Sequence, residues 1–173
     1  MKIAVVASPV TPLRPAQLGG AQAFICDLAL GLARREHDVT LHCAEGSKVP
    51  GVRLATVPAP RDAHAALVMP GGAPPPPAPG VAAALAAMFE RIAADRVDVV
   101  SQHAFDAPAF ELRLEVPILH TLHLPPVVPA VVSAARRVGA AGLATVSARA
   151  ATCGGAPASK WGTCCRTACP TQR

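Results

Sequence analysis

Lys2-Ile-Ala-Val-Val-Ala7, a proline-rich loop, Gly19-Gly20 and an amphipathic run from Ala21 to Arg35 open the chain, and this stretch decides its fold. A β-branched apolar run bounded by prolines reads as a buried parallel strand. From Ala21, Phe24, Leu28 and Leu32 fall on one stripe with Ile25 and Ala29 beside it, which is the period of a helix. Two glycines at the mouth of that helix let a backbone approach a ligand closely and aim free N–H groups at it. The same pair is also compatible with a plain turn.

Working outward, the alternation continues. Asp38–Cys43 and Val52–Val57 read as strands, Val81–Asp95 as an Ala-rich helix with Leu85, Met88, Phe89 and Ile92 on its apolar face, and 97–100 as a fourth strand. Residues 116–122 and 142–146 read as two more strands, with a helix through Arg137 between them. Strands alternating with helices predict an α/β fold, a Rossmann-like doubly wound parallel sheet in a single domain. In such sheets ligands sit beyond the carboxyl ends of the strands. Four pieces fall there: Gly19-Gly20, Glu45-Gly46-Ser47, His103 to Asp106, and His120 to His123.

Composition narrows the function classes. The 173 residues suffice for one domain, and with 3% aromatics and no tyrosine the core must be built from Ala, Val and Leu. The net charge of +5 is unevenly spread: residues 1–115 carry ten basic and eleven acidic side chains, whereas the rest carries six basic and none acidic. No aromatic residues interleave with these charges and no nucleic-acid motif occurs, so nucleic-acid binding is disfavoured. The longest apolar candidate, Val127 to Val146, is broken by Arg136-Arg137, so no membrane span is expected. With no secretory signal visible, the chain reads as cytoplasmic.

Residues 58–79 form a long loop ending in Gly71-Gly72-Ala-Pro-Pro-Pro-Pro-Ala-Pro79, a density of proline that favours an extended connection. After Ser147 the periodicity is lost. Residues 149–173 are expected to be an irregular, disordered tail, and they hold Cys153, Cys164, Cys165 and Cys169. Their spacing forms no C-x-x-C pair, so neither a metal site nor a disulfide framework is expected.

The dinucleotide fingerprint and the P-loop are both absent. His103 and His123 each follow a buried strand, where an imidazole can act as acid, base or hydrogen-bond donor; a satisfied structural histidine is the competing reading. His120, inside its strand, reads as structural. Asp106 shares the rim with His103, and its alternative role is an N-cap for the short helix that follows.

The opening strand with Ser8-Pro9, the Gly19-Gly20-Ala-Gln22 turn, Leu28 to Leu41, Asp98-Val-Val-Ser-Gln-His103-Ala-Phe-Asp106 and Val116-Pro-Ile-Leu-His-Thr-Leu-His123 together resemble the N-terminal, acceptor domain of family 4 glycosyltransferases of the GT-B fold. The resemblance covers residues 1 to 148. It implies a retaining transferase moving a sugar from a nucleotide diphosphate donor, a substrate rather than a bound cofactor, to a small-molecule or lipid acceptor. It implies that Gly19 and Gly20 face the donor diphosphate, that His123 lies at the reacting sugar with Asp106 among the catalytic residues, and that His103 lies on the acceptor side. The family's second domain carries two glutamates in a Glu-x7-Glu pair, and no such pair occurs here. The chain is therefore expected to be a truncated or frame-shifted enzyme, or a half-enzyme completed by a separate donor-domain chain, inactive alone. The alternatives are a noncatalytic Rossmann-like module binding an anionic small molecule, and an interaction protein.

Overall fold

A computed structural model of the protein describes residues 1–15, 19–67, 78–124, 128–139 and 142–146. Six strands lie in one sheet: β1 (Lys2–Val6), β2 (Asp38–Ala44), β3 (Arg53–Val57), β4 (Val99–Gln102), β5 (Ile118–Leu122) and β6 (Leu143–Thr145). Their order is β3-β2-β1-β4-β5-β6, and every pairing is parallel. The expected α/β, Rossmann-like parallel sheet is thus present. From β1 the chain moves outward through β2 and β3, returns to β4 on the other side of β1, and continues to β6. The reversal between β1 and β4 is the switch point at which such sheets bind ligands.

The helices are α1 (Gly20–Arg34), the single turn α2 (Ala63–Ala66), α3 (Pro79–Asp95), α4 (Ala107–Glu111) and α5 (Pro129–Val138). Side chains alternate across the sheet. Ile3, Val5, Val39, Leu41 and Cys43 pack with Ile25, Cys26 and Ala29 of α1. Ala4, Val6 and Val100 face the other way, onto Val81, Leu85, Met88, Phe89 and Ile92 of α3. The apolar face predicted for α3 is therefore buried residue for residue. Each such large side chain contributes about 2 kcal/mol on leaving water. A third cluster, Phe110, Val131, Ala134, Ala135 and Leu143, lies where α4 and α5 meet β6.

Two expectations need correction. The buried stripe of α1 runs through Ile25, Cys26 and Ala29, whereas Phe24 is 40% exposed. The helix is rolled so that Phe24 leaves the core and meets the sheet's carboxyl edge. Ser101 and Gln102 belong to β4 rather than to the loop beyond it, because the strand pairs with both neighbours to the level of Gln102.

Glu45-Gly46-Ser47 also resolves into architecture. The Ser47 hydroxyl donates to the Ala44 carbonyl and accepts from the Leu13 N–H at 2.9 Å. The turn thereby pins the loop after β1. The proline-rich segment at 71–77, the tail from 149 and its four cysteines lie outside the described residues.

Candidate functional site

Three strands and two helices deliver side chains to the carboxyl edge at the switch point. The loop leaving β4 is tied to the end of β1, where the His103 N–H donates to the Val6 carbonyl at 2.8 Å. This places His103 above the gap between the two strands, 4% exposed. Its Nδ1 lies 2.9 Å from Nε2 of His123, which follows β5, and its own Nε2 lies 2.8 Å from the Ser101 hydroxyl. Ser101, His103 and His123 thus form one hydrogen-bonded chain.

Phe24 closes this group from α1. Its ring centroid lies 5.8 Å from that of His103 and 5.2 Å from that of His123, tilted to one and edge-on to the other. Such tilted contacts are favourable aromatic geometry. They place the histidine pair against α1 one turn along from Gly20. Gly19 is the N-cap of α1 and Gly20 its first residue, with no side-chain cap and no acidic residue in the first turn. The positive end of the helix dipole lies there, and among the described residues no side chain caps its first N–H groups.

Neither glycine has a positive φ. A Cβ on Gly20 would meet nothing within 4 Å, and one on Gly19 would meet only the end of the flexible Gln22 side chain. Chain geometry therefore does not demand glycine at either position. Among the described residues open space lies beside Gly20, whereas the end of the Gln22 side chain occupies the position beside Gly19.

Asp106 stands at the N-cap position of α4, yet its side chain makes no capping bond. Its carboxylate instead accepts from the Ser8 hydroxyl at 3.0 Å, joining the end of β1 to the loop after β4. Burial raises the Asp106 pKa, and the bond from Ser8 partly opposes that rise.

Burial also governs the histidines. The His103 pKa is lowered to about 3, first by desolvation and then by the neighbouring His123. His123, half-buried, is lowered by desolvation. Both rings are neutral near pH 7, so each holds one N–H and one lone pair. The site can therefore donate and accept hydrogen bonds through neutral imidazoles and can hold negative charge at the start of α1. Among the described residues no group of three or more His, Cys, Asp or Glu side chains could hold a metal ion.

Residues 18–153 match the family model for glycosyltransferase family 4. The chain belongs to glycosyltransferase family 4. No curated protein matches it. Among the described residues no helix of this family 4 chain is long and apolar enough to cross a membrane.

The five residues singled out from the sequence fall into two groups. His103 and His123 touch directly, with Gly19 and Gly20 linked to them through Phe24. Asp106 belongs to the same loop as His103 but pairs with Ser8. Sequence reading passed over Phe24, Ser8 and Ser101. Phe24 could have been found from its place one turn after Gly20 in a helix that starts at the ligand edge. Ser101 could not, because its role depends on a strand end that periodicity set two residues too early.

Proposed function

We propose that this chain is the acceptor-binding half of a retaining GT-B glycosyltransferase that uses a nucleotide diphosphate sugar as donor. Membership of glycosyltransferase family 4 supports sugar transfer. The observation that carries the finer reading is the His103–His123 pair at the switch point with Phe24, one turn into α1 from Gly20, packed against both rings. The N–H groups at Gly19 and Gly20 face the donor diphosphate and stabilise charge as it leaves. His123 sits at the reacting sugar, His103 and Asp106 line the acceptor side, and no further cofactor takes part. The Glu-x7-Glu pair expected of the donor half does not occur among these 173 residues, and this reading assigns to them the acceptor side alone.

Calorimetric titration tests this reading with two panels of probes: nucleoside diphosphate hexoses, and hydroxyl acceptors comprising inositol, simple saccharides and detergent-dispersed glycolipids. An acceptor should bind and His123→Ala should weaken it about tenfold, while the nucleotide sugars bind little and the chain alone gives no turnover. Tight nucleotide-sugar binding with no acceptor affinity would instead favour a noncatalytic anion-binding module. Robust turnover by the chain alone would overturn the half-enzyme reading.

A further inference from the structure

The contact between the two histidines limits how many protons the rim can hold. Nδ1 of His103 and Nε2 of His123 face one another at 2.9 Å, and two nitrogens at that separation admit one hydrogen between them. Two imidazoles offer four nitrogens. With one of the facing nitrogens always bare, the pair holds at most three hydrogens while the contact lasts. Two neutral rings already carry two of these. A single proton can therefore be added, whereas a second would set hydrogen against hydrogen and drive the rings apart.

The neutral pair can run its hydrogens in either direction, because the part-buried Ser101 hydroxyl can donate to Nε2 of His103 or accept from it. The singly protonated pair has no such freedom. Its three hydrogens must occupy Nε2 of His103, the shared contact and Nδ1 of His123. Ser101 then accepts from His103 and turns its own hydrogen outward. At the other end, Nδ1 of His123 makes no hydrogen bond to a described residue and is not among the buried, unpartnered atoms. Its hydrogen is open to a ligand. One added proton thus turns a nitrogen that can either donate or accept into one that only donates, and gives it a share of positive charge.

No carboxylate among the described groups around the pair is placed to neutralise that charge. Phe24 meets both rings from α1, and the first turn of that helix holds no acidic residue. The Asp106 carboxylate, on the loop after β4, is engaged by Ser8 at the end of β1. The contact from β4 is the uncharged Ser101. The neighbour whose charge acts on His103 is His123 itself.

We infer that His103 and His123 act as one proton-binding unit, which takes up a single proton from solvent as an anion binds and meets an oxygen of that anion with Nδ1–H of His123. A phosphate or sulfate oxygen suits such a charged donor. His103 does not touch the anion; it is a positioning residue that shares the proton of His123. The one-proton limit stands on the ring contact alone. Only the identification of the anion with a departing donor phosphate rests on the function proposed above.

Ring ¹⁵N spectra of the histidine-labelled chain, followed as the pH is lowered, count the protons. The nitrogens of both rings should move together in one step worth one proton, as coupled sites do. In His103→Asn the step should be confined to His123. Sulfate, whose charge is constant over this range, should move the wild-type step to higher pH. Its affinity should rise about tenfold for each unit fall in pH, the dependence of one linked proton. Separate steps confined to single rings, or two protons taken up in the folded chain in one step, overturn the shared unit. A step that sulfate leaves in place overturns the anion assignment. If the chain unfolds before the step is reached, sulfate titrations near neutral pH in buffers of different ionisation enthalpy decide: uptake of up to one proton supports the inference, and none overturns it. Because no sugar is present, failure here is distinct from failure of the acceptor titration.

Discussion

The two faces of one strand treat buried polar groups in opposite ways. On the α1 side of β4, Ser101 and His103 lie in a continuous chain of hydrogen bonds that ends at His123. On the opposite side, one row across the sheet runs His42, Val6, Gln102, His120. Both ring nitrogens of His42, Nδ1 of His120 and Oε1 of Gln102 are buried with no partner among the described residues. His42 is fully buried, and His120 is buried against the face of Phe110 with ring centroids 5.1 Å apart. Burial alone therefore does not distinguish a site from a core. His103 and His42 are comparably hidden, but only His103 sits in a network that leads to the edge of the sheet. An unpartnered polar atom in the interior costs about 1–3 kcal/mol, so the inner row is a standing cost to the fold, while the rim is locally satisfied.

The largest expected effect tests what the two regions share. Desolvation lowers the pKa of His42 and His120 to about 4 and of His103 to about 3. Each value lies below the unfolded 6.5, so the unfolded chain binds more protons between these limits and stability falls as pH falls. The contribution is fully present above pH 6.5 and drains away towards pH 4 for His42 and His120, and towards pH 3 for His103. At about 1.4 kcal/mol per pKa unit, the three together should remove several kcal/mol, measurable by urea unfolding at successive pH values. A flat profile over this range would mean that the histidines keep their charge in the fold.

Next in size, His42→Leu separates the regions. It removes two bare nitrogens at similar volume and should raise stability by about 1–3 kcal/mol at pH 7, read from the urea midpoint, while making the acid profile shallower. A loss of stability would show that the inner row holds bound water and is as satisfied as the rim.

How much of this contrast was legible in the sequence follows from what periodicity can carry. The parallel sheet and the α3 face were legible because alternation and helical spacing are local. His120 was readable as structural because it lies inside a strand that is mostly apolar. The contact between His103 and His123, 20 residues apart, was not legible, because two residues past different strands meet only once strand order and register are known. The Ser8–Asp106 bond spans 98 positions, and no local pattern signals it. The roll of α1 was also hidden: Phe24 fits an apolar stripe, and only the edge of the sheet gives it something better to touch.

A smaller effect is expected where the rim meets β1. Ser8→Ala removes the donor that restrains the Asp106 pKa while burial remains, so the carboxyl titration seen by ¹³C NMR should move to higher pH. The accompanying stability loss should be about 1 kcal/mol. A downward move would show that Asp106 is solvated rather than buried.

The smallest effect belongs to Gly20→Ala. Its Cβ enters open space at the start of a helix, so stability should change by less than about 1 kcal/mol. Under the proposed function, however, anion binding at that helix start should fall. A large destabilisation would return the glycine pair to architecture.

The bond between Ser8 and Asp106 has a consequence for how the site comes into being. With β1 central in the sheet, both of its partners come later in the chain, and the histidine pair cannot join the end of β1 until a loop of nearly a hundred residues has closed. Parallel sheets with such distant pairings fold slowly, since the entropy of loop closure is lost before the contacts that offset it are made. During synthesis, the glycine turn and the first helix leave the ribosome long before His103, Asp106 and His123 exist to meet them. The histidine pair can form within β4 and β5 by themselves, but the complete site arrives late, when that pair of strands docks on β1.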